Sequence, residues 1–279
     1  MNKYKRVISI YAYFVFIFVF PIARQETVLF PGPKSGNAAD NYKLTVEPAW
    51  VTFGQPNKAG KSRLEKRFFP GHNRMVEFFF SHSFLGPHGF RIDTIGNNNY
   101  IMEVTWVKDF KEVNMKLTEE FSSKSFQASV LFSMSKEEQK EIAEYNRNQR
   151  LKKSEKAISE YTIETKKISV TPSFAGQMYK TCYWLMRNYF SEGIPIISFD
   201  GYSVTFRCVV GDFSLWTFSA INPFSVFKEF TTTCNEIVKE VQKNGKIVNE
   251  ETYILTLNSL LLKTINSYPD VRIPGTNTK

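Results

Sequence analysis

From Tyr42 onward the chain alternates short β-branched and aromatic runs with Gly, Asn and Pro turns. Strand-like text covers Tyr42–Phe53, Met75–Phe84, Phe90–Ile95, Tyr100–Val107 and Phe126–Phe132. Branched and aromatic side chains fit a pleated, half-buried surface, so these runs predict antiparallel strands. A Gly-Pro-His-Gly turn precedes the Phe90 run, and the Asn-rich Gly96–Asn99 leads into the Tyr100 run.

The pattern changes at Ser135. Of the 33 residues 135–167, nine are basic and seven acidic, and apolar positions are few: Ile142, Leu151, Ala157 and Ile158. Ser135 with Glu138 has the spacing of a capping box, which opens a helix. A helix that is polar nearly all round is solvent-bridging or an arm. The expectation is a long exposed helix forming a charged seam over 135–167, with a strand over Tyr161–Val170.

The C-terminal part has the clearest periodicity. Phe174–Phe190 reads as a helix with Met178, Cys182, Leu185 and Tyr189 on one face. Ile194–Phe199 reads as a strand, Asp200-Gly201 as a hairpin turn, and Tyr202–Val210 as the returning strand. Tyr202, Val204, Phe206, Cys208 and Val210 share one side of it; Ser203, Thr205 and Arg207 share the other. Phe213–Ser219 completes a three-stranded meander. Asn222-Pro223 is expected to cap and start a helix with the stripe Phe227, Phe230, Cys234, Ile237 and Val241, stopped by Gly245. Asn249 is expected to cap a last helix facing inward through Ile254, Leu257, Leu261 and Ile265. The predicted class is α+β: an antiparallel β-rich N-terminal part (42–134), the charged central helix, and a helix–three-stranded meander–two-helix unit (168–270) with helices on one sheet face. An alternative organisation makes 42–270 one domain.

The N-terminus has a different composition. Lys3, Lys5 and Arg6 precede a 14-residue run, Val7–Phe20, that is apolar except for Ser9. A positive start followed by a short apolar stretch has the layout of a secretory signal. Crossing a bilayer takes roughly 20 apolar residues, and this run is shorter. Ala23 is a possible cleavage point, but Pro21 sits where a small residue is preferred. Residues 1–23 are therefore expected to be a signal peptide or a signal anchor, and the Pro/Gly/Ser/Asn-rich 24–41 a linker. The whole 279-residue chain has a net charge of +9, and residues 1–23 hold three of the positive charges. The remainder is rich in Phe and long enough to bury a core. Its modest positive charge does not point to nucleic acid.

Several constellations resemble chemistry. Gly54 to Ser62 (GQPNKAGKS) resembles a phosphate-binding loop, but five residues, not four, separate the first Gly from Gly-Lys-Ser. Asp200, at the end of Ile196–Asp200, is better explained by its turn. His72, His82 and His88 lie within 17 residues and are the metal candidates, since neutral imidazoles from adjacent turns and strands can gather zinc. Against this, His82 is in phase with Val76, Phe78 and Phe80 on an apolar face. Glu77 and Glu103 are the catalytic candidates: they sit in strands expected to be neighbours, and paired carboxylates across a cleft hydrolyse glycosides. The simpler expectation for both is a solvated strand face. No Gly-x-Ser-x-Gly elbow occurs in the sequence.

Cys182, Cys208 and Cys234 fall on apolar faces, which suits buried thiols, with one disulfide as the alternative. The basic runs Lys58/Lys61/Arg63/Lys66/Arg67 and Arg147/Arg150/Lys152/Lys153/Lys156 are read as solvated faces, with contact to polyanions as the alternative. Trp50, Trp106, Trp184 and Trp216 are candidate sugar-stacking residues, although core packing suits the last three. The reading is an exported, extracytoplasmic protein (periplasmic, surface-bound or secreted) that binds a protein or polysaccharide partner and uses no cofactor. A secreted hydrolase with a dispersed carboxylate or histidine site is one alternative. A protein tethered to the membrane through its N-terminal segment is the other.

Overall fold

Alternation along the strand-like runs sorts their side chains into two sets, and the sheet buries much of both. The computed structural model of the chain describes residues 42–48, 61–71, 75–82, 84–96, 99–126, 130, 133–188, 201–210, 214–223 and 225–266. All of them fall within one unit, 40–279. The first 41 residues, Trp50, His72, Tyr189 and the expected strand Ile194–Phe199 lie outside the described residues.

The elements in chain order are β1 (Tyr42–Pro48), α1 (Arg63–Phe68), β2 (Val76–His82), β3 (His88–Ile95), β4 (Asn99–Val107), α2 (Phe110–Glu120) and α3 (Lys136–Glu160). They continue with β5 (Ile163–Val170), α4 (Pro172–Arg187), β6 (Tyr202–Val210), β7 (Ser214–Ile221), α5 (Ser225–Asn244) and α6 (Glu250–Asn266). The protein is α+β, as its pattern predicts. Its strands form one sheet of seven in the order β1-β7-β6-β2-β3-β4-β5. Every neighbouring pair is antiparallel. Strands from either side of the charged helix therefore share one sheet, joined where β6 pairs with β2.

One face carries the main core. Val76, Phe78 and Phe80 of β2, Phe90 and Ile92 of β3, Met102 and Val104 of β4, Val204, Phe206 and Cys208 of β6, and Phe218 and Ala220 of β7 all point to it. Helices α4, α5 and α6 cover it with Phe174, Met178, Leu185, Phe227, Phe230, Ile237 and Leu257. Phe206 is central: its ring lies 5.3 Å from that of Phe78 and 4.9 Å from that of Phe230. The Thr181 hydroxyl of α4 donates to the carbonyl of Leu257 in α6 at 3.2 Å, tying those helices together. The three cysteines belong to this core, buried and unpaired.

The opposite face is closed by a smaller apolar cluster. Leu64, Phe68 and Phe69 of the α1 segment meet Phe79, Val107, Val113 and Leu117 of α2, Ala157 of α3, and Tyr161. Beyond its last turns α3 is held by polar contacts: Asn146 bonds the backbone of Lys124, Lys153 bonds Thr118, and Lys156 pairs with Glu120. The expected capping box of Ser135 and Glu138 is present.

Four local expectations are corrected. Of the expected strand Phe126–Phe132 only Phe126 and Val130 are described, and neither is in a strand: Phe126 is outside regular structure and Val130 is helical. In the basic stretch ending at Arg67, Arg63, Lys66 and Arg67 are exposed as expected, but Lys61 is drawn in to Glu77, and a Ser62–Glu65 capping box opens α1, which buries Leu64, Glu65 and Phe68. Asn222 does not cap α5. It sits at φ 47°, and its side chain accepts from the Tyr202 amide at 2.9 Å. A Cβ on Gly201 would lie 2.1 Å from that Asn222 side chain, so the turn needs glycine there. Asn249 does cap α6, accepting from the Thr252 amide, but the deepest stripe of that helix is Leu257, Leu260 and Thr264.

Truncating Phe206 to Ala should lower unfolding free energy by about 3–5 kcal/mol, as expected for a large aromatic removed from a closed core. Chemical denaturation measures this. A loss near zero would show that this face does not hold the core.

Candidate functional site

The residues that could carry chemistry on the second face lie on one cross-strand row. Register places Lys167 of β5 opposite Glu103 of β4, Glu103 opposite Arg91 of β3, Arg91 opposite Glu77 of β2, and Glu77 opposite Arg207 of β6. The signs alternate along the whole row. Opposite charges on facing strands attract, and burial strengthens the attraction by lowering the local dielectric.

The two candidate carboxylates are on this row but not on neighbouring strands, which corrects the expectation. β3 lies between them, so their Cα atoms are on the order of 9–10 Å apart. Arg91 fills the gap. Its Nε donates to Glu103 at 2.5 Å and its Nη1 to the Pro70 carbonyl at 2.9 Å. Nor is Glu77 solvated; it is 1% exposed. Lys61 Nζ stands 2.8 Å from both of its oxygens and bonds Oε2. Burial pulls the Lys61 ammonium below its usual pKa, while the Glu77 carboxylate pulls the other way.

Helix α1 is the lid of this row. Glu65 uses one oxygen to accept from the Ser62 amide and the other to accept from Arg207 Nη2 at 2.8 Å. Arg207, on the same side of β6 as Ser203 and Thr205, is 2% exposed. Of the near phosphate loop, residues 54–60 lie outside the described residues, and only Lys61 and Ser62 are described. Its Lys61 is bound to Glu77 and its Ser62 caps a six-residue helix.

At the other end the row opens into a shallow depression of about 160 Å³ lined by Arg91, Asp93, Ile95, Ile101, Glu103 and Lys167. Ligand clefts usually enclose about 300–1,000 Å³. Glu103 and Arg91 spend their charge on each other at its floor, and Lys167 stands 3.8 Å from Glu103. The geometry supplies two carboxylates engaged by cations, Glu77 by Lys61 and Glu103 by Arg91.

The histidines separate. His82 ends β2 beside the rings of Phe80 and Tyr202, and its Nδ1 accepts from the Phe84 amide at 2.9 Å. His88 opens β3, is buried, and stacks on Phe80 at 4.7 Å. Its Nδ1 is 2.9 Å from the Gly86 carbonyl and its Nε2 2.9 Å from the Asn235 amide. Burial pushes the imidazole below its usual pKa; Gly86 and Asn235 oppose this, and the charge of Lys239 adds to it. Both contacts are to oxygens, the Gly86 carbonyl and Asn235 Oδ1, and the ring donates from whichever nitrogen carries its proton. Among the described residues no group of three His, Cys, Asp or Glu side chains could hold a metal ion. The thiols are equally engaged. A hydrogen bond shared with Cys208, then burial, holds the Cys182 thiol well above its usual range, and burial does the same to Cys234.

The three described tryptophans pack against cations or rings. Lys166 lies over Trp106, Arg187 over Trp184, and Trp216 meets Tyr183. Sequence reasoning singled out Glu77 and Glu103 but missed Arg91, Glu65 and the burial of Lys61 and Arg207. The Ser62-x-x-Glu65 spacing before Phe68-Phe69 was the available signal.

The class that fold and site define is a seven-stranded antiparallel α+β protein with helices over one face and a lidded ionic row on the other. Compared with known proteins, the chain matches no family model, no curated protein and no solved structure.

Replacing Arg207 by Met strands Glu65 and should cost about 3–5 kcal/mol of stability. Adding Glu65→Gln, which keeps the Ser62 cap, should restore about 1–3 kcal/mol. Denaturant titration of the single and double variants checks this, and a purely additive loss would contradict the pairing. His88 gives a pH test. Its folded pKa is below its unfolded value near 6.5, so the unfolded chain binds more protons in that window and stability rises with pH. The unfolding midpoint should fall as pH drops from about 7.5 to 5.5, and His88→Gln should flatten that slope.

Proposed function

We propose that this chain is an exported protein that works outside the cytoplasm by holding a partner, with α3 as the contact element. Three features support this. The N-terminal Lys3, Lys5 and Arg6 followed by Val7–Phe20 have the layout of an export signal or anchor. The candidate acid–base groups, Glu77 and Glu103, are engaged in ion pairs that hold the sheet and its lid together. The observation that carries the reading is α3 itself. It is 25 residues long and attached through its C-terminal turns and a polar seam. Its outer side shows Arg147, Arg150 and Lys152, exposed and without ion pairs among the described residues. Leu151 sits among them, 54% exposed.

An apolar side chain ringed by free cations fits an acidic protein surface. Arginine is well suited to such contacts because its planar fork matches carboxylates and is weakly hydrated. A polysaccharide partner is the other outcome. A photo-crosslinking residue at Leu151, in cells, should give one discrete adduct, and the same residue at Thr256 on α6 should give none. Protease digestion of the adduct distinguishes a protein partner from a glycan. No adduct at Leu151, or equal adducts at both sites, contradicts the reading. Export is tested separately by fusing residues 1–41 to alkaline phosphatase, which gains activity only outside the cytoplasm. Inactive fusions would contradict it.

A further inference from the structure

The hairpin joining β2 and β3 projects two apolar side chains into solvent. Phe84 is 65% and Leu85 51% exposed. They are not loosely hung. The Phe84 amide donates to His82 Nδ1 at 2.9 Å, and its ring lies 5.8 Å from that imidazole. Next along the turn, Gly86 packs so closely that a Cβ would lie 3.2 Å from Phe110 Cβ. The Pro87 carbonyl accepts from the Val107 amide at 3.0 Å. His88 then fixes the start of β3 through Gly86 and Asn235. The tip is held out by its base, so presenting it costs no further ordering.

Other apolar surface lies at the same end of the sheet. Register sets Tyr202 opposite His82, and Ile221 opposite Ser203. Tyr202 is half-buried and stacks on Phe80, while Ile221 is exposed. Lys228 follows in the first turn of α5, exposed and without an ion pair among the described residues. The opposite end of the sheet holds the β3–β4 and β6–β7 turns. Ile95 is exposed there, beside the depression lined by Asp93 and Lys167.

Strand β1 also begins at the Phe84 end, because Tyr42 pairs with Ala220. The chain before Tyr42 therefore joins the sheet there. It carries Val7–Phe20 and then the 21 residues 21–41. Twenty-one residues reach at most about 75 Å, which keeps this end within range of whatever surface holds the apolar run.

We infer that this end of the sheet docks on a lipid bilayer surface, with Phe84 and Leu85 inserted among the acyl-chain ends and Tyr202 and Lys228 at headgroup level. Apolar side chains on a rigid tip partition into the interface, and aromatic rings with a polar edge settle at the headgroups. The net positive charge of the chain, +9, favours an anionic leaflet. This inference rests on the N-terminal segment reaching a membrane as an export signal or anchor, so its test separates the two.

The full chain is reconstituted with vesicles of phosphatidylcholine and a minority of phosphatidylglycerol. It carries Leu85→Cys or Ile95→Cys labelled with an environment-sensitive NBD dye. The three native thiols are buried and do not compete for label. Flotation with the vesicles reads the N-terminal segment, and the dye reads the tip. Docking predicts flotation of both proteins, with blue-shifted emission at position 85 that brominated lipid quenches. Position 95 should keep the emission it has in water. Flotation with water-like emission at both positions overturns docking and leaves the tether standing. Failure of the chain to float overturns both. Replacing Phe84 with Ser beside the labelled position 85 should return the dye to its aqueous spectrum without changing flotation; an unchanged dye spectrum also counts against insertion.

Discussion

A carboxylate buried in the middle of a sheet face constrains everything around it. Glu77 is almost wholly removed from water, and an unpaired charge in that position would cost several kcal/mol or more. Lys61 pairs with it directly at 2.8 Å, and the sheet register sets Arg91 on one side of it and Arg207 on the other. Two buried cations in turn need anions, which Glu103 and Glu65 provide. The row is thus closed by Glu103 from within the sheet and by Glu65 from α1. The six-residue helix α1 stays in place because Lys61, Glu65 and Phe68 each have a defined site beneath it. A short helix of this kind has little stability of its own, since most helical stability comes from tertiary packing.

The same constraint governs what the second face can do. The carboxylates that suggest hydrolysis when read singly are each held by a cation here, Glu77 by Lys61 and Glu103 by Arg91. A pair of glutamates can share an acid–base task only when one can change protonation at a reacting atom. Arg91 occupies the space between Glu77 and Glu103, and a small depression beside them has Glu103 at its floor. Surface without such internal partners lies elsewhere: along the outer side of α3 and at the Phe84 end of the sheet. The functional proposals rest on those two regions, where charge and apolar area have no counterpart among the described residues.

Legibility in the sequence followed the size of the apolar signal. The faces of α4 and α5 repeat at helical spacing over several turns, and their predicted stripes are buried: Met178, Cys182 and Leu185, then Phe227, Phe230, Cys234, Ile237 and Val241. The strands β2, β3, β4 and β6 were readable because one face of each is continuous core. Helix α2 was not readable, since only Val113 and Leu117 of its eleven residues are buried. Helix α1 was masked by its basic composition and shortness. With its lid unread, Glu77 could only be taken as solvent-facing by parity. Asn222 misled for a different reason. Asn-Pro is a fair helix-start signal, yet this Asn adopts a left-handed turn and gives its side chain to Tyr202. Sequence spacing carries local preference; which distant backbone group competes for a side chain depends on the sheet pairing.

The central claim is that the charged row is a structural network in which Glu103 belongs to Arg91. A thermodynamic double-mutant cycle on this pair tests it directly, with Arg91→Met, Glu103→Gln and the double variant compared by denaturant unfolding. Buried-to-intermediate ion pairs in one network should show coupling of about 1–3 kcal/mol, so the double variant should lose clearly less than the sum of the singles. Additive losses, with coupling near zero, would mean that Glu103 does not depend on Arg91, and would return that carboxylate to the list of groups free for chemistry.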